Sequence, residues 1–168
     1  MSTCLVGSEM CIRDRVKIGL NRGASGIDGL VASSAGYSKG LNQPLTLLLG
    51  DLSLLHDLNS LKLISESPKP IVLIVLNNHG GGIFSFLPIS EHKDIFETYF
   101  STPHSLEFKD AAKMFKLPYF HPESPEEFES IYLKQASADK SCIIEVNTLK
   151  EDNIRVQKEW TEFLQQNR

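Results

Sequence analysis

Cysteine is scarce: the 168 residues hold 3, at positions 4, 11 and 142. Three thiols cannot build a disulfide framework, and this spacing matches no zinc-ligand pattern. A reducing, cytoplasmic setting is therefore expected. Long hydrophobic runs are missing too. The longest, Leu45–Leu49 and Ile71–Leu76, fall far short of the ~20 residues of a membrane-spanning helix. Basic blocks are absent. Lys plus Arg is 17 against 21 Asp plus Glu, a net charge of −4. Phosphate-backbone binding needs clustered cations, so no nucleic-acid partner is expected. There is no internal repeat and no low-complexity segment. What remains is an ordinary globular composition, 41% hydrophobic and 23% charged, which argues against disorder, collagen and coiled coil.

Met1–Arg15 has neither a helical nor a strand period. It is expected to be foreign to the fold, like a translated adaptor or vector remnant. Residues 16–168 then form one domain. Gly26–Leu41 carries small and apolar residues at helical spacing and stops at Asn42-Gln43-Pro44. Leu45–Leu49 and Ile71–Leu76 are continuous apolar runs of strand length. Continuous apolarity points to strands buried on both faces, as in a parallel sheet. A helix is predicted between them over Leu52–Ser65. Further on, helices are predicted over Glu91–Tyr99 and Ser105–Lys116, and a short strand over Pro118–His121. Ser124 and Glu127 have capping-box spacing and open a helix to about Ala138. A strand over Ser141–Val146 and a helix over Asn153–Gln166 follow. Strands alternating with helices imply a three-layer α/β/α sandwich with a mainly parallel sheet.

In such sheets ligands bind beyond the carboxyl ends of the strands. Two of those ends are polar: Gly50-Asp51-Leu52-Ser53 and Asn77-Asn78-His79-Gly80-Gly81-Gly82. Either one alone reads as a turn. Their joint occurrence, each directly after a buried strand, is more specific. Residues 53–76, 24 in all, separate Leu52 from Asn77, the length of one helix plus one strand. If the two strands are neighbours, the Asp51 carboxylate, the Asn78 amide and a backbone carbonyl converge. That all-oxygen set suits Mg²⁺, which takes its remaining ligands from water and substrate phosphate. The glycines leave backbone N–H groups free for phosphate oxygens, and the helix start after Asp51 adds its positive end.

Gly50-Asp51-Leu52 followed by Asn77-Asn78 resembles the thiamine diphosphate motif, with Leu52 where the motif usually has glycine. Asn21–Gly29 (NRGASGIDG), Gly50–Asn59 (GDLSLLHDLN) and Asn77–Pro88 (NNHGGGIFSFLP) together resemble the 2-succinyl-5-enolpyruvyl-6-hydroxy-3-cyclohexene-1-carboxylate synthase family of menaquinone biosynthesis. The similarity runs from about Lys17 to the end of the chain. Family members are several times longer, so the chain looks like their C-terminal thiamine diphosphate-binding domain.

The resemblance implies a transferase that decarboxylates 2-oxoglutarate on thiamine diphosphate and adds the product to isochorismate. It implies Mg²⁺, or Mn²⁺, held by Asp51, the Asn78 side chain and the Gly80 carbonyl. It assigns Ser25, Gly26, Ile27, Leu52, Ser53, Gly81 and Ile83 to the cofactor, with Ile27 as the apolar wedge that bends it. It assigns Arg22 to substrate carboxylates, and Ile83, Phe84 and Leu87 to an apolar wall beside isochorismate. Phe86 is expected in the core. The family's activating glutamate comes from another domain of a partner subunit, so the chain alone is expected to be inactive. A homodimer or homotetramer is implied for the whole enzyme. Two alternatives stay open: another thiamine diphosphate-dependent carboligase or decarboxylase, and a non-catalytic binding module. Asp57 is expected to hold a helix start or the metal loop. His92, His104 and His121 are expected to be ordinary surface or core residues, and Cys142 an inert core thiol.

Overall fold

A computed structural model describes Gly19 and residues 26–166. The 1–15 extension, Arg22 and Ser25 lie outside the described residues. Four strands, β1 (Leu45–Gly50), β2 (Ile71–Asn77), β3 (Tyr119–Phe120) and β4 (Cys142–Asn147), form one sheet in the order β1-β2-β4-β3. All three pairings are parallel, with Gly50 opposite Leu76 and Asn77 opposite Asn147. The two apolar runs are therefore neighbours, and their polar ends leave the sheet at the same edge.

Helices cover both faces. On one lie α1 (Leu30–Leu41), α2 (Asp51–His56), α3 (Leu61–Ser65) and α5 (Lys109–Met114). Val31, Leu54, Leu61, Ile64 and Ala112 pack there with Leu49, Leu73, Val75 and Ile143 of the strands. On the other face lies α6 (Pro125–Ala136), whose Phe128, Ile131 and Tyr132 cover Val72, Ile74, Cys142 and Ile144. This alternation explains the continuous apolar run of β2, whose odd and even residues enter different cores. β1, expected to be buried on both faces, is covered on one only, with Thr46 and Leu48 exposed. The second face is less covered toward the β1 edge, where Leu48 is 60% exposed. Between β2 and α5 the chain forms 3₁₀ turns at Gly82–Phe86 and Pro88–Glu91, α4 (Lys93–Phe96) and a π turn at Glu97–Ser101. The last helix, α7 (Lys150–Gln166), carries exposed Trp160, Phe163 and Leu164. Among the described residues no helix is long and apolar enough to cross a membrane.

Ser124 caps α6 as its spacing predicts, accepting from the Glu127 N–H at 3.1 Å. Elsewhere the observed elements differ from the periodic reading. The helix predicted over Leu52–Ser65 is broken into α2, a 3₁₀ turn at Leu58–Ser60, and α3. Asp57 sits at the break with φ −127° and is 6% exposed. Its Oδ2 accepts from the Val31 and Ala32 N–H groups at 2.8 and 3.0 Å, and its Oδ1 from the Ser60 hydroxyl. The first turn of α1 has only Gly29 at its cap position and no capping side chain of its own. A buried carboxylate from another helix supplies both the acceptor and the favourable negative charge. Asp57→Ala would take the acceptor from three donors, the Val31 and Ala32 N–H groups and the Ser60 hydroxyl, and is expected to cost about 2–4 kcal/mol. Urea unfolding of the purified chain measures it, and a loss below about 0.5 kcal/mol would contradict this role.

The helix predicted over Ser105–Lys116 also shortens to α5: residues 102–107 form no regular element, and the Phe108 N–H is taken by the Glu145 carboxylate. Cys142 is fully buried, and burial pushes its thiol up to about 11, which leaves it as the inert core thiol expected.

Candidate metal and diphosphate site

Asp51 is the first residue of α2, directly after Gly50 ends β1, and it is 3% exposed. Its Oδ1 accepts from the Leu52 N–H at 2.7 Å and its Oδ2 from the Gly80 N–H at 2.9 Å. The loops after β1 and β2 are thus joined through this carboxylate. The Asn78 amide points into the same space. One of its two terminal atoms lies 2.7 Å from the Gly80 carbonyl oxygen and 3.3 Å from Asp51 Oδ2.

That placement has two chemical readings, related by a half-turn of the amide. With nitrogen there, the amide donates to both oxygens. With oxygen there, three oxygens face one another, an arrangement that only a cation between them stabilises. Cis ligands of an octahedral Mg²⁺ with Mg–O of ~2.0–2.1 Å stand about 2.9 Å apart. The observed 2.7 and 3.3 Å bracket that spacing. Among the described residues no group of three or more His, Cys, Asp or Glu could hold a metal. The donor set at the sheet edge is a carboxylate, an amide and a peptide carbonyl, which fits a hard divalent cation better than a soft one.

Glycines make room for this geometry. Gly80 has φ +145°, and a Cβ on it would stand 2.5 Å from the Ser101 carbonyl oxygen. A Cβ on Gly81 would meet the Phe100 carbonyl oxygen, also at 2.5 Å. The segment after α4 therefore lies directly on the glycine run. Of the amides expected to face a diphosphate, that of Gly81 donates to Ser101 O at 2.6 Å. A phosphate oxygen at that amide would have to share or replace this bond. Ser53 is half-buried in the first turn of α2. Ile27 and Gly26 are exposed, and Ile83 is 73% exposed. Phe84 is half-buried, edge-on to Phe100 at 5.9 Å, while Leu87 is exposed. Phe86 is 41% exposed, so its expected place in the core is corrected. The 3₁₀ turn at Gly82–Phe86 projects it from the surface.

Sequence reading missed His104. Its Nε2 lies 3.1 Å from Asp51 Oδ2, and its side chain is 11% exposed. Its Nδ1 accepts from the Leu106 N–H at 3.2 Å, so Nε2 carries the proton in the neutral ring. The approach to Asp51 is within ion-pair distance but not aligned as a hydrogen bond, which leaves His104 Nε2 buried without a hydrogen-bond partner, as is His79 Nδ1. The two rings meet edge to face at 5.9 Å. No spacing rule could have found His104, because an irregular loop carries it back to the site.

No family model matches the chain. It is 51% identical over 135 residues to 2-succinyl-5-enolpyruvyl-6-hydroxy-3-cyclohexene-1-carboxylate synthase of Chlorobium phaeobacteroides (strain BS1), covering 80% of this chain and 23% of that protein. The like-named protein of Rubrobacter xylanophilus is 49% identical over 144 residues, covering 86% of this chain and 25% of that protein. Over most of its length the chain is similar to one part of these synthases. It spans about a quarter of the length of the relatives it matches. Among solved structures, benzoylformate decarboxylase from Polynucleobacter necessarius superposes with a TM-score of 0.57 at 18% identity, covering 71% of this chain and 23% of that one. A thiamine diphosphate-dependent 4-hydroxybenzoylformate decarboxylase from Rhodococcus jostii RHA1 gives 0.50 at 23% identity, covering 62% and 19%. These structures share the α/β/α fold with its parallel sheet.

Proposed function

We propose that this chain is the metal- and diphosphate-holding part of a synthase that uses thiamine diphosphate and Mg²⁺ to decarboxylate 2-oxoglutarate. The synthase then adds the succinyl-semialdehyde unit to isochorismate in menaquinone biosynthesis. The observation that carries this reading is the convergence of the Asp51 carboxylate, the Asn78 amide and the Gly80 carbonyl at the carboxyl edge of β1 and β2. It occurs in a chain about half identical to the synthases.

Asp51, the Asn78 amide oxygen and the Gly80 carbonyl would hold Mg²⁺, or Mn²⁺, and the ion would anchor the diphosphate. Ser53 and the backbone around Leu52, Gly81 and Ile83 would take phosphate oxygens. Ser25 and Gly26 would border the cofactor, and Ile27 would press against its middle. When bound, thiamine diphosphate supplies the carbon nucleophile that proteins lack. Arg22 would receive substrate carboxylates with its planar donor fork. Ile83, Phe84 and Leu87 would exclude water beside isochorismate. The same reading carries a cytoplasmic enzyme and a homodimer or homotetramer for the whole protein. Exposed Ile83, Leu87, Trp160 and Phe163 support burial against further protein.

Calorimetric titration tests the cradle. Thiamine diphosphate is expected to bind the 168-residue chain with Mg²⁺ and not in excess chelator, and thiamine monophosphate is expected to bind weakly in both. Binding that ignores Mg²⁺, or no binding at all, would defeat the reading. The chain on its own is expected to release no carbon dioxide from 2-oxoglutarate and to consume no isochorismate. Turnover would show that the other three-quarters of the relatives' length is dispensable.

A further inference from the structure

Glu145 is a fully buried carboxylate in the middle of β4. No cation neutralises it among the described residues. Three donors do so instead: the Asn77 side-chain amide to Oε1 at 2.6 Å, the Phe108 N–H to Oε2 at 2.9 Å, and the Tyr119 hydroxyl to Oε2 at 2.8 Å. Burial, and then the bond to Glu145, raise the Tyr119 hydroxyl well above its usual range, so it stays a donor. An ionised carboxylate is acceptor-only and matches these three donors.

Asn77 passes that constraint on. Its Oδ1 accepts from the His79 N–H at 3.1 Å, and its amide nitrogen also donates to Leu106 O at 2.9 Å. His79 lies between Asn78 and Gly80, two of the three candidate metal ligands. Leu106 lies two residues beyond His104, and its N–H donates to the His104 ring that reaches Asp51. The two segments are also tied to each other, since the His104 N–H donates to His79 O at 3.2 Å. A single carboxylate thus fixes the amide that clamps both segments flanking the oxygen set.

We propose that Glu145, acting through Asn77, is a positioning residue that sets the geometry of the Asp51, Asn78 and Gly80 oxygen set. The inference rests on the reading of that set as a metal site. A glutamine at 145 would offer one oxygen and one NH₂ group. Whichever way it turned, the NH₂ group would face a donor, either Asn77 or the Phe108 and Tyr119 pair. Asn77 would lose its anchor while its other bonds remained possible, and the 78–80 loop would loosen.

The test compares Glu145→Gln with Val72→Ala, a core truncation on the far face of the same sheet. Mn²⁺ affinity by electron paramagnetic resonance is expected to fall about 10- to 100-fold in Glu145→Gln, as for residues that orient metal ligands. It should be unchanged in Val72→Ala, although both lower the melting temperature. Amide hydrogen exchange gives a readout that needs no metal. The His79 and Gly80 N–H groups should lose protection in Glu145→Gln more than the Ile74 N–H of β2 does. If Glu145→Gln does not fold, Asn77→Ser carries the test, since it leaves Glu145 its two other donors. A purely structural role would lower protection at Ile74 and Gly80 alike and leave Mn²⁺ affinity intact; that result overturns the proposal. Failure of the unmodified chain to bind Mn²⁺ would instead count against the metal-site reading, and the exchange comparison would still decide the role of Glu145.

Discussion

Asp51→Asn is expected to abolish Mg²⁺-dependent binding of thiamine diphosphate while leaving the chain folded. Asparagine keeps the shape of the side chain and one oxygen, so one of the Leu52 and Gly80 N–H groups retains its acceptor. What it removes is the only formal negative charge among the three candidate ligands, since Asn78 and the Gly80 carbonyl are neutral. Asp51 is 3% exposed, and charge interactions in a site so shielded from water are weakly screened. Breaking a buried charge pair by removing one partner costs roughly 3–5 kcal/mol, or about two to three and a half decades of affinity. Calorimetry on Asp51→Asn beside the unmodified chain measures the difference. Circular dichroism checks that the fold persists. An affinity within about threefold of the original, well under 1 kcal/mol, would remove Asp51 from the site.

Gly80→Ala is expected to damage both the fold and the site. At φ +145° an L-residue is strained, and its Cβ would meet Ser101 O at 2.5 Å and Thr102 O at 3.4 Å. Those are backbone atoms, and Ser101 O is held by the Gly81 N–H at 2.6 Å, so no side-chain rotation relieves the clash. Strain of this kind costs about 1–3 kcal/mol before the clash is counted. The loss should reach about 3 kcal/mol or more by urea unfolding. Gly36→Ala is the contrast. Gly36 lies inside α1 with nothing within 4 Å of a Cβ, and alanine there should stabilise by about 0.5–1 kcal/mol. Equal effects at the two positions would show that the close approach at Gly80 is not what requires glycine.

Much of this architecture was legible because it is local. The apolar runs Leu45–Leu49 and Ile71–Leu76 are strands, they are adjacent, and the polar residues after each meet at one edge. Strand burial and the length of the connecting segment carry that inference without tertiary detail. The missed features depend on partners far along the chain. Helical spacing says nothing about Asp57, whose carboxylate breaks one helix to cap another 26 residues earlier. Residues 105–108 read as helix, but Asn77 and Glu145 draw Leu106 O and Phe108 N into side-chain bonds, and these residues stay outside any helix. Glu145 sits in an otherwise apolar strand, where a pattern of hydrophobicity registers only an interruption. His104 reaches Asp51 through a loop with a left-handed residue at Thr102, a path that no period describes.

Anomalous scattering from manganese tests the central claim most directly. Crystals of the chain grown with Mn²⁺ and thiamine diphosphate, measured at the manganese edge, are expected to show a peak bounded by Asp51, the Asn78 side-chain oxygen and the Gly80 carbonyl. The Asn78 amide should then have its oxygen on the ion, and the diphosphate should complete the coordination shell. A peak elsewhere, or cofactor bound with no ion among those three oxygens, would contradict the assignment of this sheet edge as the metal and diphosphate cradle.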